Sequence, residues 1–231
     1  MEKIIKDNGL FIKYNSKLIK NFDKKIFNYD YIEKAELSKS LEVGRSRTFE
    51  LEYENNIYIL KHYHRGGFFQ KVFRDKYIYT GYINTRANKE WILLQKMKSY
   101  DLPVPEVAAI KIKKHIFTYK ADLLTKKINN TIQLIDFIES NKMTDDLWEK
   151  LAITLKKFFE KGIYHADLNL NNILVTDNEK FYLVDFDKSF ITNNEKYSKK
   201  SFSRLHRSLV KNIKDKNIEN KLLSIEKLIF S

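Results

Sequence analysis

The sequence predicts an α+β protein, its first half mainly antiparallel sheet around one helix and its second half mainly helix with a small hairpin. Three observations carry that expectation. Apolar residues alternate from Leu41 to Tyr63, helical spacing dominates Asp145–Lys161, and only six Gly and two Pro punctuate 231 residues. Alternation is the period of a pleated strand, and steps of three or four residues are the period of a helix face.

The elements follow in order. Asp7-Asn8-Gly9 lies between Ile4-Ile5 and Phe11-Ile12, the pattern of a hairpin turn. Thr48–Tyr53 and Ile57–Lys61 read as two strands joined tightly at Asn55-Asn56, and Arg65-Gly66-Gly67 interrupts the pattern. Thr85–Ser99 reads as a helix with Trp91, Leu94 and Met97 at three-residue steps, closed before Pro103 and Pro105; Val107–Lys113 and His115–Leu124 read as another strand pair. In Asp145–Lys161, Leu147, Trp148, Leu151, Leu155 and Phe158 make one apolar stripe that Gly162 ends. Ile173–Val175 and Phe181–Val184 are short strands around Asp177-Asn178, and the chain is helical again beyond Ser201. The two halves meet near Thr125–Asn130.

Composition narrows the chemistry. Hydrophobic residues at 43% and aromatic residues at 14% suffice for a buried core, so disorder is not expected. With no Cys, a disulfide framework, a thiolate zinc site, an iron–sulfur cluster and a Cys nucleophile are excluded. No apolar run approaches the roughly 18 residues of a membrane span, and Met1–Lys20 lacks an apolar signal segment, so a cytoplasmic protein is expected. Lys+Arg number 43 against 30 Asp+Glu, a net +13. Only seven of those cations are Arg, so a solvated Lys coat and an anionic partner explain the charge about equally well.

The sharpest chemical signal is His165-Ala166-Asp167-Leu168-Asn169-Leu170-Asn171-Asn172, followed 13 residues later by Asp185-Phe186-Asp187. It fits the H-x-D-L-x-x-x-N loop of phosphoryl transfer, then strand, turn, strand and a metal-binding D-F-x. A carboxylate must meet the acceptor hydroxyl while an amide oxygen and a second carboxylate hold Mg²⁺ on the phosphates of ATP. Asp167 suits the first role, and Asn172 and Asp185 the second. With five His, 14 Asp and 20 Asn in the chain, His, Asp and Asn at these offsets arise by accident about 0.03 times.

Upstream, Lys61 ends the strand Tyr58-Ile59-Leu60-Lys61, the place for a cation on the α- and β-phosphates, and Glu90 on the Thr85–Ser99 helix is its expected ion-pair partner. Gly44, in Leu41–Thr48, is the one glycine where a phosphate-covering loop belongs, with Arg45 and Arg47 beside it. His62, His64 and His115 have no metal-ligand companions at useful spacing and read as structural or surface residues.

Further strings resemble the 3-deoxy-D-manno-octulosonic acid (Kdo) kinase family of lipopolysaccharide inner-core assembly. They are His62-Tyr63-His64-Arg65-Gly66-Gly67, Arg74-Asp75-Lys76-Tyr77, Thr80-Gly81, Thr85-Arg86-Ala87, Glu90-Trp91, Leu102–Pro105 and Ala121–Thr125, together with the His165 loop and Asp185–Lys188. The resemblance spans about Gly44 to Arg207. It implies a protein-kinase-like two-lobed α+β fold and ATP- and Mg²⁺-dependent phosphorylation of the 4-hydroxyl of a Kdo residue on a lipid A precursor. It also implies peripheral attachment at the cytoplasmic face of the inner membrane. Two departures stand out: Gly44-Arg45-Ser46 replaces a G-R-G string, and Lys126 stands where an acid is usual.

The expected organisation is an N-lobe over residues 1–125 and a small C-lobe over residues 126–231, with adenine against backbone near Lys126 and Ile128. About 44 residues follow Asp187, few for a peptide-docking region, and Asn169 stands where protein kinases place Lys. The competing readings are a small atypical protein kinase, an antibiotic or choline phosphotransferase, and a basic nucleic-acid-binding module. The last lacks any recognition-helix or zinc pattern, so no nucleic-acid partner is expected. An anionic membrane surface is the expected partner of the positive charge, with the Arg65 loop, Arg74, Arg204 and Arg207 as the candidates for contact.

Overall fold

The computed structural model describes residues 1–34, 38–41, 48–63 and 76–231. Gly44, Arg45, Arg47, Arg65 and Arg74 lie outside the described residues. The chain divides into two compact units, Met1–Gln95 with Glu106–Lys127, and Lys96–Pro105 with Ile128–Ser231.

The first unit contains β1 (Glu2–Asp7), β2 (Leu10–Asn15), a 3-10 turn at Lys24–Phe27, α1 (Tyr29–Lys34), β3 (Ser38–Leu41), β4 (Thr48–Tyr53), β5 (Asn56–His62) and β6 (Tyr77–Ile78). After a 3-10 turn at Tyr82–Asn84 come α2 (Arg86–Ser99), β7 (Val107–Lys114) and β8 (Thr118–Lys126). The antiparallel sheet runs β1-β2-β7-β8-β5-β4-β3, and β6 pairs with β8. Asn8 and Gly9 adopt φ of 40° and 74°, the left-handed pair that a two-residue hairpin turn demands. The strand expected from His115 begins instead at Thr118, because His115, Ile116 and Phe117 form the corner between β7 and β8. Helix α1 has no sequence signature of its own; Ile32 joins Ile12, Ile19, Ile26, Phe27, Leu51, Tyr58 and Leu60 in the core over one sheet face.

A buried ionic row crosses that face. Asp122 on β8 stands in register with His62 on β5 and Lys111 on β7. Its carboxylate accepts from Lys111 Nζ at 2.8 Å and from Tyr29 Oη at 2.7 Å, and it pairs with His62 Nδ1. Burial pushes the Asp122 carboxyl up, but the His62 hydrogen bond and the Lys111 charge outweigh burial and hold it below the ordinary carboxylate value. Because the folded value is depressed, the row's stability contribution is complete above the ordinary carboxylate range and is lost as pH falls through the folded value. Asp122→Ala removes the acceptor shared by Lys111, Tyr29 and His62, while Lys111 keeps the Phe27 carbonyl, and is expected to lower stability by about 1–3 kcal/mol at neutral pH. Urea melts should show a constant gap from the parent down to pH 5 and a shrinking gap below pH 4.

The second unit holds β9 (Thr131–Gln133), α3 (Leu134–Glu139), α4 (Asp145–Glu160), β10 (Ile163–Tyr164), a 3-10 turn at Leu170–Asn172, β11 (Ile173–Thr176), β12 (Phe181–Leu183), β13 (Phe190–Ile191), α5 (Lys196–Asn212) and α6 (Lys216–Phe230). Strands β12-β11-β9 form one small sheet and β10-β13 another. Thr144 caps α4 by accepting from Leu147 N–H, and Asp145 and Asp146 fill its first turn, where the helix dipole favours acids. Gly162 ends it at φ 68°, and a Cβ there would lie 2.3 Å from the Thr192 carbonyl oxygen. Helix α5 starts at Lys196, earlier than its sequence pattern suggests, with Ser198, Ser201, Phe202, Leu205 and Leu209 buried on one face. No described helix is long and apolar enough to cross a membrane.

Candidate active site

In the first unit, strand alternation sends Leu60 into the core and Lys61 to the opposite face of β5. There Lys61 Nζ meets Glu90 of α2 at 3.3 Å and 3.2 Å from its two carboxylate oxygens. Glu90 is almost wholly buried, its side chain 4% exposed, so the carboxylate needs partners on more than one side. Tyr63, two residues beyond Lys61 and on the same face, supplies a second donor, its hydroxyl 2.7 Å from Glu90 Oε2. The Lys61 ammonium lies 4.9 Å from the Tyr63 ring centroid. Period-two spacing from Lys61 is the signal by which Tyr63 could have been found.

The pair predicts a coupled response. Lys61→Met and Glu90→Gln should each reduce kcat/KM for ATP by about 10-fold or more, and the double variant should lose clearly less than the product of the two losses. Steady-state kinetics on the four proteins of the cycle measure this; a fully multiplicative loss means that the residues act independently.

The second unit holds the other set. His165 is buried, its ring tilted against that of Phe186 with centroids 4.6 Å apart. Its Nδ1 accepts from Asp167 N–H at 3.2 Å and its Nε2 lies 3.0 Å from the Val184 carbonyl oxygen. A ring that accepts at Nδ1 and donates at Nε2 is the neutral tautomer. Val184 N–H in turn donates to the Asn172 carbonyl at 3.0 Å. The Val184 peptide is thereby held at both ends by the loop, one residue before Asp185. Asp185 itself takes φ 62°, a left-handed backbone that a non-glycine residue adopts only when its surroundings impose it.

Asn169 organises the loop between. Its Oδ1 accepts from Asn171 N–H at 2.9 Å and Asn172 N–H at 3.1 Å, and its Nδ2 donates to the Asp167 carbonyl at 3.1 Å. Asn172 Nδ2 donates to the same carbonyl at 2.8 Å, which turns the amide oxygen of Asn172 the other way. The Asp167 carboxylate is exposed and makes no hydrogen bond among the described residues. Three serines hold the loop backbone from outside. Ser201 on α5 accepts from His165 N–H at 3.1 Å, Ser208 on α5 accepts from Leu170 N–H at 3.2 Å, and Ser189 accepts from Ala166 N–H at 3.0 Å. Ser201 and Ser208 are seven residues apart, two turns along one helix face.

Asn172 and Asp185 offer an amide and a carboxylate oxygen, the hard donors Mg²⁺ prefers, and Mg²⁺ usually takes only one or two protein ligands beside water and phosphate. Among the described residues no group of three or more His, Asp or Glu is gathered. Lys126 N–H donates to the Glu106 carbonyl at 2.8 Å and Lys127 N–H to the Ile57 carbonyl at 2.9 Å. Both amides are thus taken up within the first unit, and the Ile128 carbonyl accepts from Thr131 Oγ1 at 3.1 Å. Arg204 is half-buried, its Nε without a hydrogen-bond partner among the described residues, while Arg207 Nε donates to the Ser203 carbonyl at 3.2 Å.

The profile of the Lipopolysaccharide kinase (Kdo/WaaP) family matches residues 33–224. A 3-deoxy-D-manno-octulosonic acid kinase of Photobacterium profundum is 33% identical over 218 residues, covering 94% of this chain and 92% of its own. Its counterpart from Vibrio cholerae serotype O1 is 34% identical over 170 residues, covering 74% and 72%. Among solved structures, the Cydia pomonella granulovirus kinase PK-1 overlaps 74% of this chain and 59% of its own at a TM-score of 0.43 and 15% identity, a likeness too loose to bear on the site.

Proposed function

The chain belongs to the lipopolysaccharide kinase (Kdo/WaaP) family, and on that premise we propose that it transfers the γ-phosphate of ATP to the 4-hydroxyl of a Kdo residue on a lipid A precursor. The observation that supports this most is the double hold on Val184, by His165 Nε2 and the Asn172 carbonyl, which ties the residue before Asp185 to the loop that carries Asp167 and Asn172.

In this reading Asp167 accepts the proton of the acceptor hydroxyl as its oxygen attacks the γ-phosphorus in line, and ADP leaves with the bond to its β-phosphate oxygen broken. Asp167 suits a base because its carboxylate is exposed and uncommitted, while its backbone is held by His165, Asn169 and Asn172. Asn172 and Asp185 would hold Mg²⁺, which would supply neutralisation of the charge on the transferring phosphate. Lys61, oriented by Glu90 and Tyr63, contacts the α- and β-phosphates. Backbone near Lys126 and Ile128 is assigned to the adenine on sequence grounds, the Lys126 and Lys127 N–H groups being already engaged. Gly44 is assigned to the phosphate-covering loop on sequence grounds alone.

The acceptor carries carboxylates and phosphates in an anionic leaflet, and a chain of net charge +13 is attracted to it by about 1 kcal/mol for each cation close to the surface. We place the enzyme peripherally at the cytoplasmic face of the inner membrane. An acceptor panel tests the class: a Kdo-bearing lipid A precursor, a phosphorylatable protein and an aminoglycoside or choline, each with ATP and Mg²⁺. Phosphate is expected on the glycolipid alone; labelling of the protein or the amine would point to one of the other phosphotransferase classes.

A further inference from the structure

The corner between β7 and β8 is chemically odd. His115 N–H donates to the Thr118 carbonyl at 2.7 Å, leaving Ile116 and Phe117 as the two corner residues. Such corners normally carry Asn, Asp or Gly, as the neighbouring β1–β2 turn does with Asn8-Gly9. Ile116 is instead 82% exposed and Phe117 80%. Nothing in the backbone requires a branched and an aromatic side chain there, and both are costly to hold in water.

They are not isolated. Ile78 on β6 lies in register with Thr118, Tyr79 N–H donates to the Phe117 carbonyl at 3.0 Å, and Ile78 is 70% exposed. The adjoining 3-10 turn adds Ile83, 58% exposed, next to Tyr82, which stacks on Phe11 at 4.6 Å. Single apolar residues on a surface are ordinary, but Ile116, Phe117 and Ile78, brought together at one end of the sheet by the pairing of β6 with β8, mark a contact.

The charge around the group is one-sided. Lys113 Nζ donates to the Asn8 carbonyl at 3.1 Å, Lys114 lies 5.1 Å from the Tyr79 ring, and Lys6 lies 5.7 Å from the Tyr82 ring. None of these three forms an ion pair among the described residues, and Asp7 is the one acid in the adjoining β1–β2 turn. An apolar tip ringed by cations is complementary to a bilayer with anionic headgroups: side chains enter the acyl boundary while ammonium groups stay at phosphate level.

We propose that the Ile116-Phe117 corner, with Ile78, is the membrane-inserting element of this protein, and that Lys6, Lys113 and Lys114 hold it to anionic lipid. The proposal rests on the peripheral-membrane reading above and gives it a location and a mode, insertion together with charge. Sedimentation with phosphatidylethanolamine vesicles containing phosphatidylglycerol tests it. The parent should bind, and the variant with Ile116→Ser and Phe117→Ser should bind about 10-fold or more weakly with an unchanged melting temperature. The variant with Lys113→Gln and Lys114→Gln should lose binding chiefly at low salt. Phe117→Trp, which keeps the corner apolar, should bind like the parent and shift its emission to the blue on vesicle addition. Equal binding by the serine variant, or an unshifted Phe117→Trp spectrum in vesicle-bound protein, overturns the insertion. If the parent itself does not sediment with these vesicles, the peripheral reading fails and the insertion with it.

Discussion

Asp167→Asn is expected to lose at least ~10²-fold in kcat while its affinity for ATP stays within about twofold of the parent. Asparagine keeps the shape of the side chain and cannot take a proton. The loop itself should survive, because its hydrogen bonds use the Asp167 peptide N–H and carbonyl rather than the carboxylate. The loss should therefore fall on kcat, with KM for ATP little changed. Single-turnover mixing with saturating ATP isolates the transfer step. A near-parental rate in that experiment would remove Asp167 from the role of base.

The second large effect is expected at Asp185. Asp185→Ala removes the one charged ligand of the proposed metal pair and should lower turnover by ~10²-fold or more. Asn172→Ala removes a neutral amide oxygen and should be milder in its metal dependence, though it also frees the Asp167 carbonyl from one of its donors. A Mg²⁺ titration separates the two: Asp185→Ala should need far more metal and never recover fully, whereas Asn172→Ala should recover further as Mg²⁺ rises. If raising Mg²⁺ restores Asp185→Ala more readily than Asn172→Ala, the roles are wrongly divided.

Much of the chain could be read in advance because its periodicities are clean. The 48–53 and 56–62 strands, α2, α4 and the hairpin around 177–178 all have apolar spacing that a single element type satisfies. His165, Asp167, Asn172 and Asp185 stand out as candidates because phosphoryl transfer fixes the order and spacing of its residues, and the structure ties the 165–172 loop to the residue before Asp185. What escaped was set by tertiary contact. Tyr63 is one aromatic among 14 tyrosines until α2 brings Glu90 against it. Ser201 and Ser208 look like polar surface on α5 and become loop supports only once α5 packs beside β10 and the 170–172 turn. His62 passed as an ordinary histidine because its partner, Asp122, stands on a strand 60 residues away. Ile116 and Phe117 were absorbed into a strand, since an apolar pair inside an apolar run gives no hint of a corner. Glu90 was found for a converse reason: its partner Lys61 belongs to a pattern with a known chemical purpose.

The proposed reaction is transfer of phosphate to one hydroxyl of one sugar. It is tested most directly by incubating the protein with ATP, Mg²⁺ and a Kdo-bearing lipid A precursor, then locating the new phosphate by mass spectrometry and by phosphorus–proton correlation in the product. One added phosphate is expected, on the 4-hydroxyl of Kdo, with stoichiometric ADP, and with Asp167→Asn about a hundredth of that or less over the same interval. Phosphate on the lipid A glucosamines, or ADP release with no phosphorylated glycolipid, would contradict it.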